Sequence, residues 1–128
     1  MELEGFGPWT IKQNQFAVQP TSKILEDNFT IRIHLDSATA ENGALRVIPG
    51  SNTNGIVRPD EINHQHLEQT CSVDAGGVML MKPLLLHASG RTINNRRRRV
   101  VHIEFSGTEL PLGLSWSEKQ SIPLSYNS

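Results

Sequence analysis

The most regular stretch of the chain runs from Asn28 to Asp36, where Ile31, Ile33 and Leu35 alternate with Thr30, Arg32, His34 and Asp36. A period of two is the mark of a half-buried strand, and the spacing predicts one here. A second alternating run, Arg98 to Phe105, sets Val101, Ile103 and Phe105 against Arg98, Val100, His102 and Glu104. Between them lie shorter runs, Ala44–Ile48, Thr70–Val73, Val78–Met81 and Leu84–Ala88. Turn residues bound them: Glu41-Asn42-Gly43, Pro49-Gly50-Ser51, Asp74-Ala75-Gly76-Gly77 and Lys82-Pro83. Pro83 keeps the last two runs apart, because proline has no N–H to offer a central ladder. Residues 51–69 read as a polar loop with a short helical turn after Pro59-Asp60-Glu61. Six short strands and hardly a helix predict an all-β domain, whether sandwich, jelly roll or barrel. For the two alternating strands, the ordinary arrangement puts polar side chains in water and apolar ones in the core. A closed, barrel-like sheet also admits the inverse, with the polar face lining a cavity.

Composition narrows the class without naming a chemistry. The chain has 128 residues, 37% hydrophobic, which suits a single domain with its own core. Twelve basic residues against thirteen acidic give a net charge of −1, which argues against a nucleic-acid or membrane-surface partner. The run Arg96–Arg99 therefore reads as a solvated turn entering the last strand, with one member pointing inward. A lone cysteine, Cys71, excludes an internal disulfide and reads as a small buried hydrophobe in a reducing compartment. No apolar run approaches membrane-spanning length, and Met1-Glu2-Leu3-Glu4 lacks the basic start of a signal peptide. The expectation is a cytoplasmic protein.

Candidate chemistry centres on histidines and one arginine. His34-Leu35-Asp36 is an H-x-D pair, whose side chains share a strand face and supply two ligands of a facial triad. His87 lies on the strand face shared by Leu85 and Ser89, and Arg98 follows eleven residues later. The order H-x-D, H, R is what a non-haem Fe(II) site needs to hold 2-oxoglutarate. The metal takes the 2-oxo acid end, and a guanidinium forks onto the far carboxylate. On the residues alone a structural role for His87 stays open. His102 shares a face with Arg98 and Glu104, consistent with a pocket or with structural pairing. His64-Gln65-His66 lies near Asp60 and Glu61 in a polar loop with no anchoring strand, and reads as surface scatter. It also lacks the G-x(5)-H-x-H context of a cupin-type metal site.

A resemblance sharpens this. Glu41-Asn42-Gly43-Ala44-Leu45-Arg46-Val47-Ile48-Pro49-Gly50-Ser51 resembles the ENGAL-x-x-x-PGSH segment of the phytanoyl-CoA dioxygenase family. Asp74-Ala75-Gly76-Gly77-Val78, Leu86-His87-Ala88-Ser89 and Arg98 resemble its later strands in order and spacing. The resemblance implies a double-stranded β-helix (a jelly-roll, cupin-like fold) that couples decarboxylation of 2-oxoglutarate to hydroxylation of an aliphatic C–H of a small molecule. It implies Fe(II) and 2-oxoglutarate as cofactor and co-substrate and His87 as the distal iron ligand. Ser89 and Arg98 would hold the far carboxylate, with Arg99 the less favoured choice. Asn52 replaces the histidine of PGSH. The family's H-x-D lies upstream of the strand that His34 and Asp36 occupy, so His34-Leu35-Asp36 reads as a look-alike, its ligand role kept as the alternative.

The fold has eight strands and six are legible, so the expectation is a jelly-roll core over 28–106 that is incomplete at its N-terminal side. An irregular segment over 1–27 precedes it and a tail over 107–128 follows. An activity without the upstream ligands is not expected. The competing reading is a non-catalytic jelly-roll module that binds a small acid or self-associates through an uncovered face of Ile31, Ile33, Val101, Ile103 and Phe105.

Overall fold

The computed structural model describes residues 3–63, 67–111 and 113–122. Eight strands occur among them: β1 (Trp9–Lys12), β2 (Gln15–Val18), β3 (Phe29–His34), β4 (Leu45–Val47), β5 (Gln69–Cys71), β6 (Val78–Met81), β7 (His87–Ser89) and β8 (Val100–Phe105). Six of these coincide, within a few residues at their ends, with the six runs read from the hydrophobic pattern. They form two three-stranded antiparallel sheets, β6-β3-β8 and β5-β4-β7. The chain leaves the first sheet past Ala38 and returns to it past Val73, and these two residues form an antiparallel bridge. The connected pair β3–β4 is thus laid against β5–β6 on one side and β7–β8 on the other. That is the doubly wound ribbon of a jelly roll.

Residues 1–27 do not form the irregular segment the sequence suggests. β1 and β2 make a hairpin, with Trp9 opposite Val18 and Lys12 opposite Gln15. Its two turn residues, Gln13 and Asn14, both have left-handed φ, 49° and 61°, the geometry that matches strand twist in a two-residue turn. No glycine marks this turn and β1 buries no face, so the hairpin carries none of the signals that identify the later strands. A short helix, α1 (Ser22–Glu26), follows, with the Thr21 hydroxyl accepting from the Ile24 N–H at 3.3 Å. The hairpin pairs with neither jelly-roll sheet.

The two sheets bury opposite kinds of side chain. In β4, Leu45 and Val47 face the core while Arg46 is exposed and pairs with Glu68 at 2.7 Å. In β3 the ordinary arrangement is inverted. Thr30 and His34 are 2% and 3% exposed, whereas Val78 and Leu80, the neighbours of Ile33 and Ile31, are 59% and 68% exposed. Register supplies the reason: Thr30 and Arg32 are opposite Met81 and Met79, so the apolar contacts on the inner face come from β6. On the other side Thr30, Arg32 and His34 are opposite Glu104, His102 and Val100. The outer face is a continuous apolar row, including a Phe29–Phe105 ring stack with centroids 4.9 Å apart.

Candidate functional site

Two loops of the resembling segment gain a physical role here. Asn42 ends a 3-10 turn (Ala40–Asn42) and is buried. Its Oδ1 accepts from the Thr39 N–H at 2.6 Å, and its Nδ2 donates to the Ser37 carbonyl at 2.8 Å. Gly43 then adopts φ 87°, and a Cβ there would lie 2.8 Å from the Gly90 carbonyl and 3.3 Å from Arg98 Nε. Only glycine takes that dihedral cheaply and leaves room for both neighbours. Farther on, the buried Ser51 hydroxyl donates to the Ile48 carbonyl at 2.7 Å and accepts from the Leu86 N–H at 2.9 Å. It thereby fixes the approach to β7.

β7 carries His87 and Ser89, opposite Val47 and Leu45 respectively. Residues directly opposite in an antiparallel pair share a sheet face, so His87 and Ser89 share the face of Val47 and Leu45, yet on the edge strand β7 both are exposed. The His87 Nδ1 lies 2.7 Å from the Leu85 carbonyl oxygen. A carbonyl only accepts, so Nδ1 carries a proton, and in the neutral ring that leaves the lone pair on Nε2. This is how a metal-binding imidazole is commonly oriented.

The arginine run divides its work. Arg98 is half-buried against Gly43 and makes no hydrogen bond or ion pair among the described residues. Its charge reaches both Arg32 and His34. Arg99 turns the other way and closes on Asp36: its Nε and Nη2 donate to Oδ2 and Oδ1 at 2.9 Å each, and its backbone N–H adds a third bond at 2.9 Å. These bonds hold the Asp36 carboxyl down to a pKa of about 2. Arg96 and Arg97 are exposed and line a cavity of about 340 Å³ beside Asp36.

His34 and Asp36 are therefore separated in role as well as in burial. Both ring nitrogens of His34 are buried without a partner, and burial, then Arg32 and Arg98, lower its pKa. Both Asp36 oxygens are committed to Arg99. Among the described residues, no three His, Cys, Asp or Glu side chains come together in a group able to hold a metal ion. Neither described cavity is lined by His87, Ser89 or Arg98; the second, about 500 Å³, lies along Pro49, Gly50, Ser51 and Leu86. His64 and His66 lie outside the described residues. Arg32, not among the candidates the sequence offers, is half-buried on the same face of β3 as His34. The available signal was a guanidinium on the polar face of the most regular strand, with no acid on that face before Asp36.

The family model for phytanoyl-CoA dioxygenase (PhyH) matches residues 5–100. The chain belongs to that family. Among solved structures it resembles EvdMO1 at 26% identity and a TM-score of 0.56, covering 81% of this chain and 24% of that one. It also resembles AviO1 from Streptomyces viridochromogenes Tue57, at 23% identity and a TM-score of 0.57, covering 84% of this chain and 46% of that one. The chain thus spans about a quarter and under half of those two proteins. No curated protein matches it. Membership agrees with the all-β, jelly-roll architecture, and no helix among the described residues is long and apolar enough to cross a membrane.

Proposed function

We propose that this chain binds 2-oxoglutarate on the inner face of its jelly roll, with Arg98 and Ser89 on the far carboxylate and His87 facing the 2-oxo acid end. The setting is that of an Fe(II)/2-oxoglutarate dioxygenase acting on an aliphatic C–H of a small molecule. The observation that carries this reading is Arg98: a half-buried guanidinium held against Gly43 with no anion beside it. A guanidinium in that state is a ready fork for a carboxylate. Family membership supports the identity of the acid.

Iron fits less well. His87 offers a free Nε2, but Asp36 is closed by Arg99 and no three candidate ligands come together among the described residues. We therefore assign no oxidative step to this polypeptide. A non-catalytic module that holds a small acid is the second reading, favoured by the Asp36–Arg99 clamp. A cytoplasmic location, a small-molecule rather than nucleic-acid partner and self-association through the outer apolar row complete the proposal.

Calorimetry with 2-oxoglutarate, with and without Fe(II) under anaerobic conditions, tests it. Binding in wild type, lost in Arg98→Ala, is expected; undiminished binding in that variant overturns the reading. Affinity that rises with Fe(II) and falls in His87→Ala favours the dioxygenase, and indifference to metal favours the module. Succinate formation that requires Fe(II) and disappears in both His34→Ala and His87→Ala would restore His34 as a ligand.

A further inference from the structure

Three buried polar groups on the inner face lack what their chemistry requires. Arg32 Nε and both ring nitrogens of His34 are buried without a hydrogen-bond partner. Arg32 and His34 are two residues apart on the polar side of β3, and Arg98 lies within electrostatic reach of both. Arg32 and Arg98 repel each other, and among the described residues no carboxylate pairs with either: Asp36 is spent on Arg99, and Glu104 meets His102 instead. Buried donors without partners each cost on the order of 1–3 kcal/mol, more when charged. A fold tolerates such a cluster where a ligand completes it.

The orientation of Arg32 is set from behind. Its Nη1 lies 3.3 Å from His102 Nδ1, and His102 Nε2 lies 3.3 Å from Glu104 Oε1. Arginine only donates, so His102 accepts at Nδ1 and donates from Nε2 to Glu104. The Glu104–His102 pair thus holds one edge of the guanidinium, while Nε faces the interior unpaired.

We infer that Arg32 and His34 form, with Arg98, a three-sided cradle for one carboxylate of a dicarboxylate ligand. The histidine of the H-x-D pair then serves the acid and not a metal. The cradle rests on the assignment of Arg98 as a carboxylate-binding residue and extends it to a second guanidinium and an imidazole. Two positive groups around one carboxylate select doubly charged acids over monocarboxylates, since the second negative charge offsets the repulsion left over.

The test uses succinate as a metal-free probe beside 2-oxoglutarate, with butyrate as the monocarboxylate control. Wild type binds succinate without metal, and Arg32→Gln weakens it about 10- to 100-fold, the range of a charge-assisted hydrogen bond. Arg32→Lys, which keeps the charge but loses the fork, falls between the two. Without ligand, Arg32→Gln melts no lower than wild type, because the repulsion with Arg98 is gone; a purely structural arginine would give a lower Tm.

Unchanged succinate affinity in Arg32→Gln overturns the cradle and leaves the Arg98 reading standing. Arg32-dependent succinate binding without 2-oxoglutarate binding overturns the identity of the co-substrate and keeps the cradle. Absence of binding by either acid overturns both, and butyrate binding as tightly as succinate overturns the dicarboxylate preference. Should Arg32→Gln fail to fold, Arg32→Lys and His34→Asn decide, and wild-type affinity in both overturns the cradle.

Discussion

The two sheets of this small jelly roll use the same alternation to opposite ends. In β5-β4-β7 the apolar members of β4 turn inward and Arg46 turns out to Glu68. In β6-β3-β8 the polar members of β3 turn inward, and the apolar row faces out. The first sheet contributes to stability in the ordinary way; the second turns Arg32 and His34 inward, and the proposed cradle rests on that inversion. Period alone cannot distinguish them, because a strand's side-chain period is two whichever face is buried. What distinguishes them is chemistry at the inward positions, where Arg32 and His34 lie within electrostatic reach of Arg98 and, among the described residues, no acid pairs with any of the three.

Core substitutions should break this contrast most strongly. Leu45→Ala, on the buried face of β4, is expected to destabilise by about 2–5 kcal/mol in denaturant titration. Leu80→Ala, on the outer row of β6, should stay within about 0.5 kcal/mol, as exposed positions do. Equal losses at both positions would mean that the outer row is covered after all. Gly43→Ala comes next. Its left-handed φ and the 2.8 Å approach to Gly90 O predict a loss of about 1–3 kcal/mol. The contact with Arg98 Nε adds a weaker affinity for 2-oxoglutarate, which calorimetry on the folded fraction reads separately.

Much of the fold was legible and less of the site. Strands β3 and β8 announce themselves because each is six residues long and alternates, β8 from Val101 onward. The N-terminal hairpin was not legible, since Gln13-Asn14 carries no glycine and β1 is exposed along its length. At the site, Arg98 stood out through its spacing from His87, while Arg32 did not, because its significance comes from partners distant in sequence. The H-x-D letters promise two ligands on one face. Here β3 ends at His34, and Asp36 sits past that end, where the Arg99 backbone and side chain capture it.

The outer row gives a smaller effect on stability and a larger one on solution behaviour. Leu80→Lys leaves the fold within about 0.5 kcal/mol of wild type. Contiguous exposed apolar surface of this kind marks an association site or an aggregation liability. Sedimentation at micromolar concentration should therefore shift toward smaller species in Leu80→Lys. A wild type that already sediments as a monomer removes self-association from the proposal.

The finest distinction lies within the H-x-D pair, and pH separates its two members. The folded pKa of His34 is lowered from 6.5 by burial and then by Arg32 and Arg98, so the unfolded chain takes up its proton first. Stability is unaffected by this group above about pH 6.5 and falls as pH drops below it, until the folded pKa is passed. Asp36 behaves differently because its folded pKa is depressed, from 3.8 to about 2, by hydrogen bonds from Arg99. Its contribution is complete above pH 3.8 and is lost as pH falls through about 2. His34→Asn should flatten the stability profile just below pH 6.5 and leave the acid limb alone, while Asp36→Asn should do the reverse. If either substitution altered both windows, the two residues would be acting as one unit, as a shared metal site requires, and the division of labour argued from Arg98 and Arg99 would fail.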